Sequence, residues 1–227
     1  MSDEGIAGAG SSARQNPRWV APAAAIVSGV IIIVGQGIGG STPEPSASGS
    51  DVITFYTAHA NAELASGVLT SLGALVFLLF AAALYGILKS ASSSRTAAAF
   101  SLGGGVVLTI GLTVFAGISI ALGDSIGRMS EPAAQAINLV GLVDIFAVTI
   151  GTSAFLLGAG AASLGSGALP KWLAWIAVLL GLVATIPSHV LGGVLDHIGF
   201  VPFAGLTLWL IATGIVLALR SDSVASR

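Results

Sequence analysis

Residues 64–88 read LASGVLTSLGALVFLLFAAALYGIL, and Lys89 follows at once. The stretch carries no charge and exceeds the roughly 20 apolar residues that a helix needs to cross a bilayer. Similar runs recur on both sides of it. They predict spans at Trp19–Gly40, Leu64–Leu88, Ala97–Leu122, Ile137–Leu164, Trp172–Leu195 and Phe200–Leu219. The fold class expected is therefore all-α: a polytopic membrane protein built as a bundle of six transmembrane helices within residues 19–219.

Composition agrees. Of 227 residues, 55% are hydrophobic and 8% charged, where soluble domains carry about 25% charged residues. The 31 glycines would weaken soluble helices, but in membranes small residues let helices approach closely. A net charge of -2 gives no basic surface for nucleic acid. The chain has no cysteine, which removes disulfides, thiolate metal sites and cysteine nucleophiles.

Charge fixes the expected orientation. Alternate connections carry Arg14, Arg18, Lys89, Arg95, Lys171, Arg220 and Arg227, and the opposite set carries only Arg128. By the positive-inside rule, both termini should be cytoplasmic. Trp19, Trp172, Trp175 and Tyr85 fall at the cytoplasmic ends of their spans, where an interfacial aromatic belt is expected. Residues 1–18 should be a disordered cytoplasmic segment, 220–227 a cytoplasmic tail, and 41–63 an external loop that begins as an extended linker. Within that loop Asp51–Glu63 suggests a short interfacial helix. Ser130-Glu131-Pro132 reads as a helix start running into span four. The first span exceeds the 7–15-residue core of a signal peptide, so its retention is expected, although Ser46-Ala47-Ser48-Gly49 offers small residues for cleavage.

Span four has a seven-residue register. Asp144, Gly151 and Gly158 share one position, and Ala147 and Ala154 recur three residues later. Span five carries Ala174, Ala177, Gly181, Ala184 and Ser188 at the same 3–4 spacing. The short connection between the spans makes them antiparallel. Aligning the stripes predicts Gly151 near Gly181, Gly158 near Ala174 and Asp144 near Ser188. Span two has a looser small-residue face, Glu63, Gly67, Thr70, Ala74 and Ala81.

Asp144 is the one acidic residue well inside a predicted span, about 10 Å below its outer end. An ionisable group there needs a partner or water. His189 lies at similar depth on span five, after Pro187 and Ser188. Gln36, Asn138, His59 and Glu63 should border the same region. Two readings follow. In one, Asp144 and His189 form an outer polar pocket that relays a proton or binds a cation. In the other, a single hydrogen bond from Asp144 to Ser188 or His189 clamps the hairpin.

Catalysis has little support. Ser188 and His189 are helix neighbours about 100° apart, and no Gly-x-Ser-x-Gly elbow occurs. His59, His189 and His197 lack zinc-ligand spacing. No catalytic residue, metal ligand set or cofactor is expected. The glycines of 35–40 lie in a span and read as packing rather than as a nucleotide loop.

The stretch Gly167-Ala168-Leu169-Pro170-Lys171-Trp172-Leu173-Ala174-Trp175 and the run Phe80-Ala81-Ala82-Ala83-Leu84 resemble those of uncharacterised small multi-helix bacterial integral membrane proteins. The resemblance spans about helices two to five. It implies a bacterial inner-membrane location and carries over no reaction and no functional residue. The function expected is accessory or structural, exerted in the lipid bilayer through a membrane-protein partner or a second copy of the chain. A small proton- or cation-linked transporter is the alternative, and an intramembrane haem or metal enzyme the third reading.

Overall fold

An apolar run in lipid has no water to bond its backbone groups, and a helix satisfies each of them internally. The computed structural model describes residues 19–39, 42–91, 95–186 and 194–225. Among these, regular structure is wholly helical: α1 (Val20–Gly39), α2 (Gly49–Ala91), α3 (Arg95–Ser125), α4 (Glu131–Ser166), α5 (Lys171–Val183) and α6 (Val194–Ala225). One 3-10 turn, Ile126–Arg128, follows α3.

Five of the six helices, α1 to α4 and α6, are long and apolar enough to cross a membrane. The fifth predicted span differs. It begins at Lys171 as a helix, but α5 runs only 13 residues, about 20 Å. Its end is wound tight: the Thr185 and Ile186 amides donate to the Leu182 and Val183 carbonyls, and Thr185 Oγ1 donates to Leu182 O at 2.6 Å. Pro187 comes next in sequence, and a proline disfavours helical geometry in the residue before it. Pro187, Ser188 and His189 lie outside the described residues.

The segment Asp51–Glu63 before span two is no separate helix. Ser48 and Asp51 cap α2 reciprocally: Ser48 Oγ donates to Asp51 Oδ2 at 2.6 Å, and the Asp51 amide donates back to Ser48 Oγ at 3.2 Å. From there α2 continues unbroken for 43 residues, about 65 Å. That is twice the ~30 Å hydrocarbon thickness, so its first turns stand clear of the lipid core. Likewise α4 starts at Glu131, with Pro132 in its first turn, and runs straight into the span.

Consecutive helices pack antiparallel, α6 closes on α1, and α2 also meets α4. Gly214 seats against Pro22 and Ile26, and Gly29 against Thr207 and Leu210, so α1 begins where α6 ends. Lys89, Arg95, Lys171 and Arg220 all fall at this terminal end, and Arg128 at the distal one. The one-sided charge of the sequence is thus a property of the folded bundle. Arg220 Nη1 donates to Ala168 O at 2.6 Å, clasping the α4–α5 turn. That turn reverses at Gly167, whose φ of 70° suits glycine.

The core lies between α2, α4 and α6. Phe77, Phe80, Phe155 and Trp209 stack edge to face there, with Phe155 5.0 Å from Phe77 and 5.9 Å from Trp209. Trp209 Nε1 donates to Leu173 O at 2.9 Å, tying α6 to α5. Outward, α2 presents Val68, Leu72, Leu75 and Leu79, all exposed, as a lipid-facing stripe.

The small-residue stripe of α4 has a different partner from the one its period suggested. Gly158 lies on Ser101 and Ala97, Gly151 on Leu108, and Ala147 and Ala154 on Gly111 and Gly104, all on α3. The α5 helix takes another face of α4: Gly160 meets the Ala174 carbonyl and Val178, Gly181 meets Leu157, and Ser153 Oγ donates to Gly181 O at 3.0 Å. Ala177 is fully buried there. Relative to the predicted alignment the α4–α5 contacts are displaced by two to six residues: Gly181 meets Ser153 and Leu157 rather than Gly151, and Ala174 meets Gly160 rather than Gly158. The seam period was legible, but α4 carries small residues on two faces and the period alone does not say which faces which neighbour.

Candidate functional site

Glu44, Asp51, Glu63, Asp124 and Glu131 lie toward the distal end of the bundle. Residues 42–48 form a strap across the start of α4. Asn138 Nδ2 donates to Pro43 O at 3.3 Å and Gln135 Nε2 to Ala47 O at 3.0 Å. At Gly49 the chain lies directly on the Glu131 backbone, an approach that a side chain would block. Beneath the strap, Val52, Tyr56, Leu122, Ile126 and Ala134 make a small second core.

Between this cap and the main core lies a crevice lined by Thr42, Tyr56, Phe115, Ser119, Asn138 and Gly141, among others. Its narrow interior has room for about one water-sized group. Glu63 sits behind Ser119, whose hydroxyl meets its carboxyl. Glu63 is only 2% exposed, and its Oε1 is buried without a hydrogen-bond partner. Burying a charge is costly unless it is paired and hydrogen-bonded. A carboxyl so placed is neutral with a proton, or charged with a cation beside it.

Helix periodicity puts Glu63 there. Tyr56, Glu63, Thr70, Phe77 and Leu84 recur every seven residues along α2, and all are buried. This stripe faces the bundle along its whole length and grades from polar at the distal end to aromatic and apolar at the centre. The four-ring cluster closes the bundle below it.

The predicted pocket residues separate. Asn138 lines the crevice and Glu63 lies behind it. His59 is exposed at the rim, stacked on Phe55 at 4.4 Å, with Nδ1 against Phe55 O at 2.9 Å. Gln36 is half-buried on α1. Asp144 is half-buried on α4 and lies against the Phe115 backbone of α3, with Oδ2 buried and unpartnered. Its expected partners Ser188 and His189 are outside the described residues. Tyr56, Ser119 and Thr70 are polar members that the sequence reading did not single out for the pocket. The heptad from Tyr56 to Leu84 was the signal that could have found Tyr56 and Thr70. Ser119 had none, because a serine in an apolar helix is common.

Among the described residues, no three of His, Asp or Glu converge to hold a metal ion. No curated protein and no solved structure shows significant similarity to the chain. Residues 23–214, from α1 into α6, match the family model described as Domain of unknown function (DUF4386), and the chain belongs to that family.

Proposed function

We propose that this is an ion-linked protein of the bacterial inner membrane, with both termini cytoplasmic, that takes up a proton or small cation from outside at Glu63. The observation that carries this reading is the buried carboxyl of Glu63, with one oxygen unpartnered under a polar crevice. The alternative of a proton- or cation-linked carrier is thereby favoured over a purely accessory role, and its centre moves from Asp144 and His189 to Glu63. An ionisable residue inside a membrane bundle is a functional site by default. The aromatic cluster under Glu63 leaves the site one open side, the distal one, as a carrier state open to a single face of the membrane requires.

Among the described residues, few other ionisable groups face Glu63. On α2 they are the buried Tyr56 and the exposed His59. From α3 and α4 come the uncharged Ser119 and Asn138, and from α1 only Gly39. Asp144 lies deeper, against Phe115, and Asp124 is paired with Arg128 on the open rim.

Infrared difference spectra of the reconstituted protein across pH test the reading. The wild type should exchange a protonated-carboxyl band for carboxylate bands as pH rises. Glu63→Gln should lose that exchange, and Asp144→Asn should retain it. Glu63→Asp should shift the band and guards against a Gln variant that fails to fold. Identical spectra for wild type and folded Glu63→Gln would remove Glu63 from the reaction.

A further inference from the structure

Along the α1–α2 interface, three oxygens of α2 point at a glycine pair on α1. A methyl built on Gly39 would meet Ser66 Oγ at 2.8 Å and Glu63 Oε1 at 3.3 Å, and one built on Gly35 would meet Thr70 Oγ1 at 3.2 Å. Glu63, Ser66 and Thr70 are 2%, 3% and 0% exposed. Their 3–4 spacing sets them on one helix face. The glycines are what lets these oxygens approach the α1 backbone.

Thr70 is informative by contrast. Thr109, Thr113 and Thr149 each donate to the carbonyl four residues back, at 2.7–2.8 Å, the usual solution for a hydroxyl inside a helix. Thr70 Oγ1 is buried with no partner, as are Glu63 Oε1 and, elsewhere in the bundle, Asp144 Oδ2, Thr152 Oγ1, Ser163 Oγ and Thr213 Oγ1; what sets Thr70 and Glu63 apart is that both face the one glycine pair of α1. Each aims an acceptor oxygen at α1 with no donor to meet it. Helix α1 ends at Gly39, so the negative end of its dipole points at the same place, and such an end favours a cation. Among the described side chains, the cationic ones of this end do not fill the role: His59 is exposed, and Arg128 is exposed and paired with Asp124.

We propose that Glu63, Ser66 and Thr70 form, with the C-terminal end of α1, a binding site for a dehydrated monovalent cation of sodium's class. This rests on the reading of Glu63 as the ion-binding group and adds the ion's identity and its remaining ligands. Oxygen ligands suit hard cations. One carboxylate neutralises one positive charge, whereas calcium sites gather several carboxylates and carbonyls. Ion and proton then compete for the same carboxyl, so sodium uptake expels the proton of Glu63.

The test is the infrared pH titration of the reconstituted full chain in sodium chloride, potassium chloride or choline chloride, with thermal unfolding in the same salts. Sodium should move the Glu63 midpoint to lower pH, by about one unit for each tenfold rise in sodium once the site is saturated, and should raise the unfolding temperature. Thr70→Val, which keeps the shape, should weaken sodium's effect on the order of tenfold and leave the titration in choline intact. Ser66→Ala should act in the same direction, and serves if the valine variant does not fold. A Glu63 midpoint that is the same in all three salts would overturn the cation site and leave the proton reading standing. A sodium response unchanged in both variants would also overturn it. Absence of any Glu63 titration in every salt would instead bring down the underlying reading, and the cation site with it.

Discussion

Gly104→Leu should yield almost no folded protein, whereas Gly103→Leu, one residue away, should be indistinguishable from wild type. The two glycines are neighbours in sequence and opposites in the bundle. Gly104 lies directly on the α4 backbone at Ala154 and Phe155, while nothing approaches within 4 Å of a methyl at Gly103. Overpacking a well-filled interior costs about 1–3 kcal/mol when neighbouring side chains can move aside. At Gly104 the obstacle is backbone, so the cost lies at or beyond the top of that range. The rest of the seam is built in the same way, with Gly151 on Leu108 and Gly158 on Ser101. Without a hydrophobic force between helices in lipid, such close contact is a main source of their association. Thermal unfolding of both variants in detergent, followed by size-exclusion elution, measures the difference. Equal midpoints would show that α3 and α4 do not meet at this register.

Phe155→Ala should lower stability by about 3 kcal/mol, and Phe100→Ala by less than the error of the measurement. Phe155 is fully buried, whereas Phe100 is 54% exposed on the lipid-facing side of α3. Phe155 lies within 6.2 Å of the ring centroids of Phe77, Phe80 and Trp209, so it joins α2, α4 and α6. In soluble cores the loss of a phenyl ring costs about 3–5 kcal/mol, part of it transfer to water and part the cavity left behind. In a bilayer the transfer part shrinks, since lipid is as apolar as the core. The cavity part remains, which places the estimate at the lower end. Unfolding in mixed micelles by a denaturing detergent gives the comparison. A Phe155→Ala protein as stable as wild type would mean that the ring cluster does not hold the three helices together.

What the sequence made legible and what it hid follow from one physical fact. In lipid, apolarity marks a span but not its inward face. The run from Leu64 to Leu88 is visible as a span at once, yet Val68 and Leu72 face outward while the less apolar Thr70 and Gly67 face inward. The inward face is read from small and polar residues, and these gave the α4 stripe its correct period. They did not give its partner, because Gly160 and Ser153 offer α5 a second small face. The fifth span was read through to Leu195 because the apolar run continues past Pro187; the described helix stops at Val183, and residues 187–193 lie outside the described residues. Asp144 drew attention as the acid deepest in a span. Glu63 stood at a predicted loop boundary, and only the continuation of α2 through that boundary places it inside the bundle. The connection between α1 and α2 looked like a loose linker because its residues are small and polar. Its bonds to Asn138 and Gln135 join positions far apart in sequence, and no local pattern announces them.

Glu63→Cys offers the most direct measurement of the central claim, that a buried group at Glu63 is reached from outside through the crevice under the strap. The chain has no other cysteine, so modification by a small membrane-impermeant thiol reagent reports this position alone. In right-side-out vesicles the expected result is slow labelling, made several-fold faster by Asn138→Ala, which releases the strap at Pro43. In inside-out vesicles, where the reagent meets the terminal end, no labelling is expected, because the aromatic cluster lies between. Labelling from the terminal side, or rapid labelling that ignores the state of the strap, would contradict the claim.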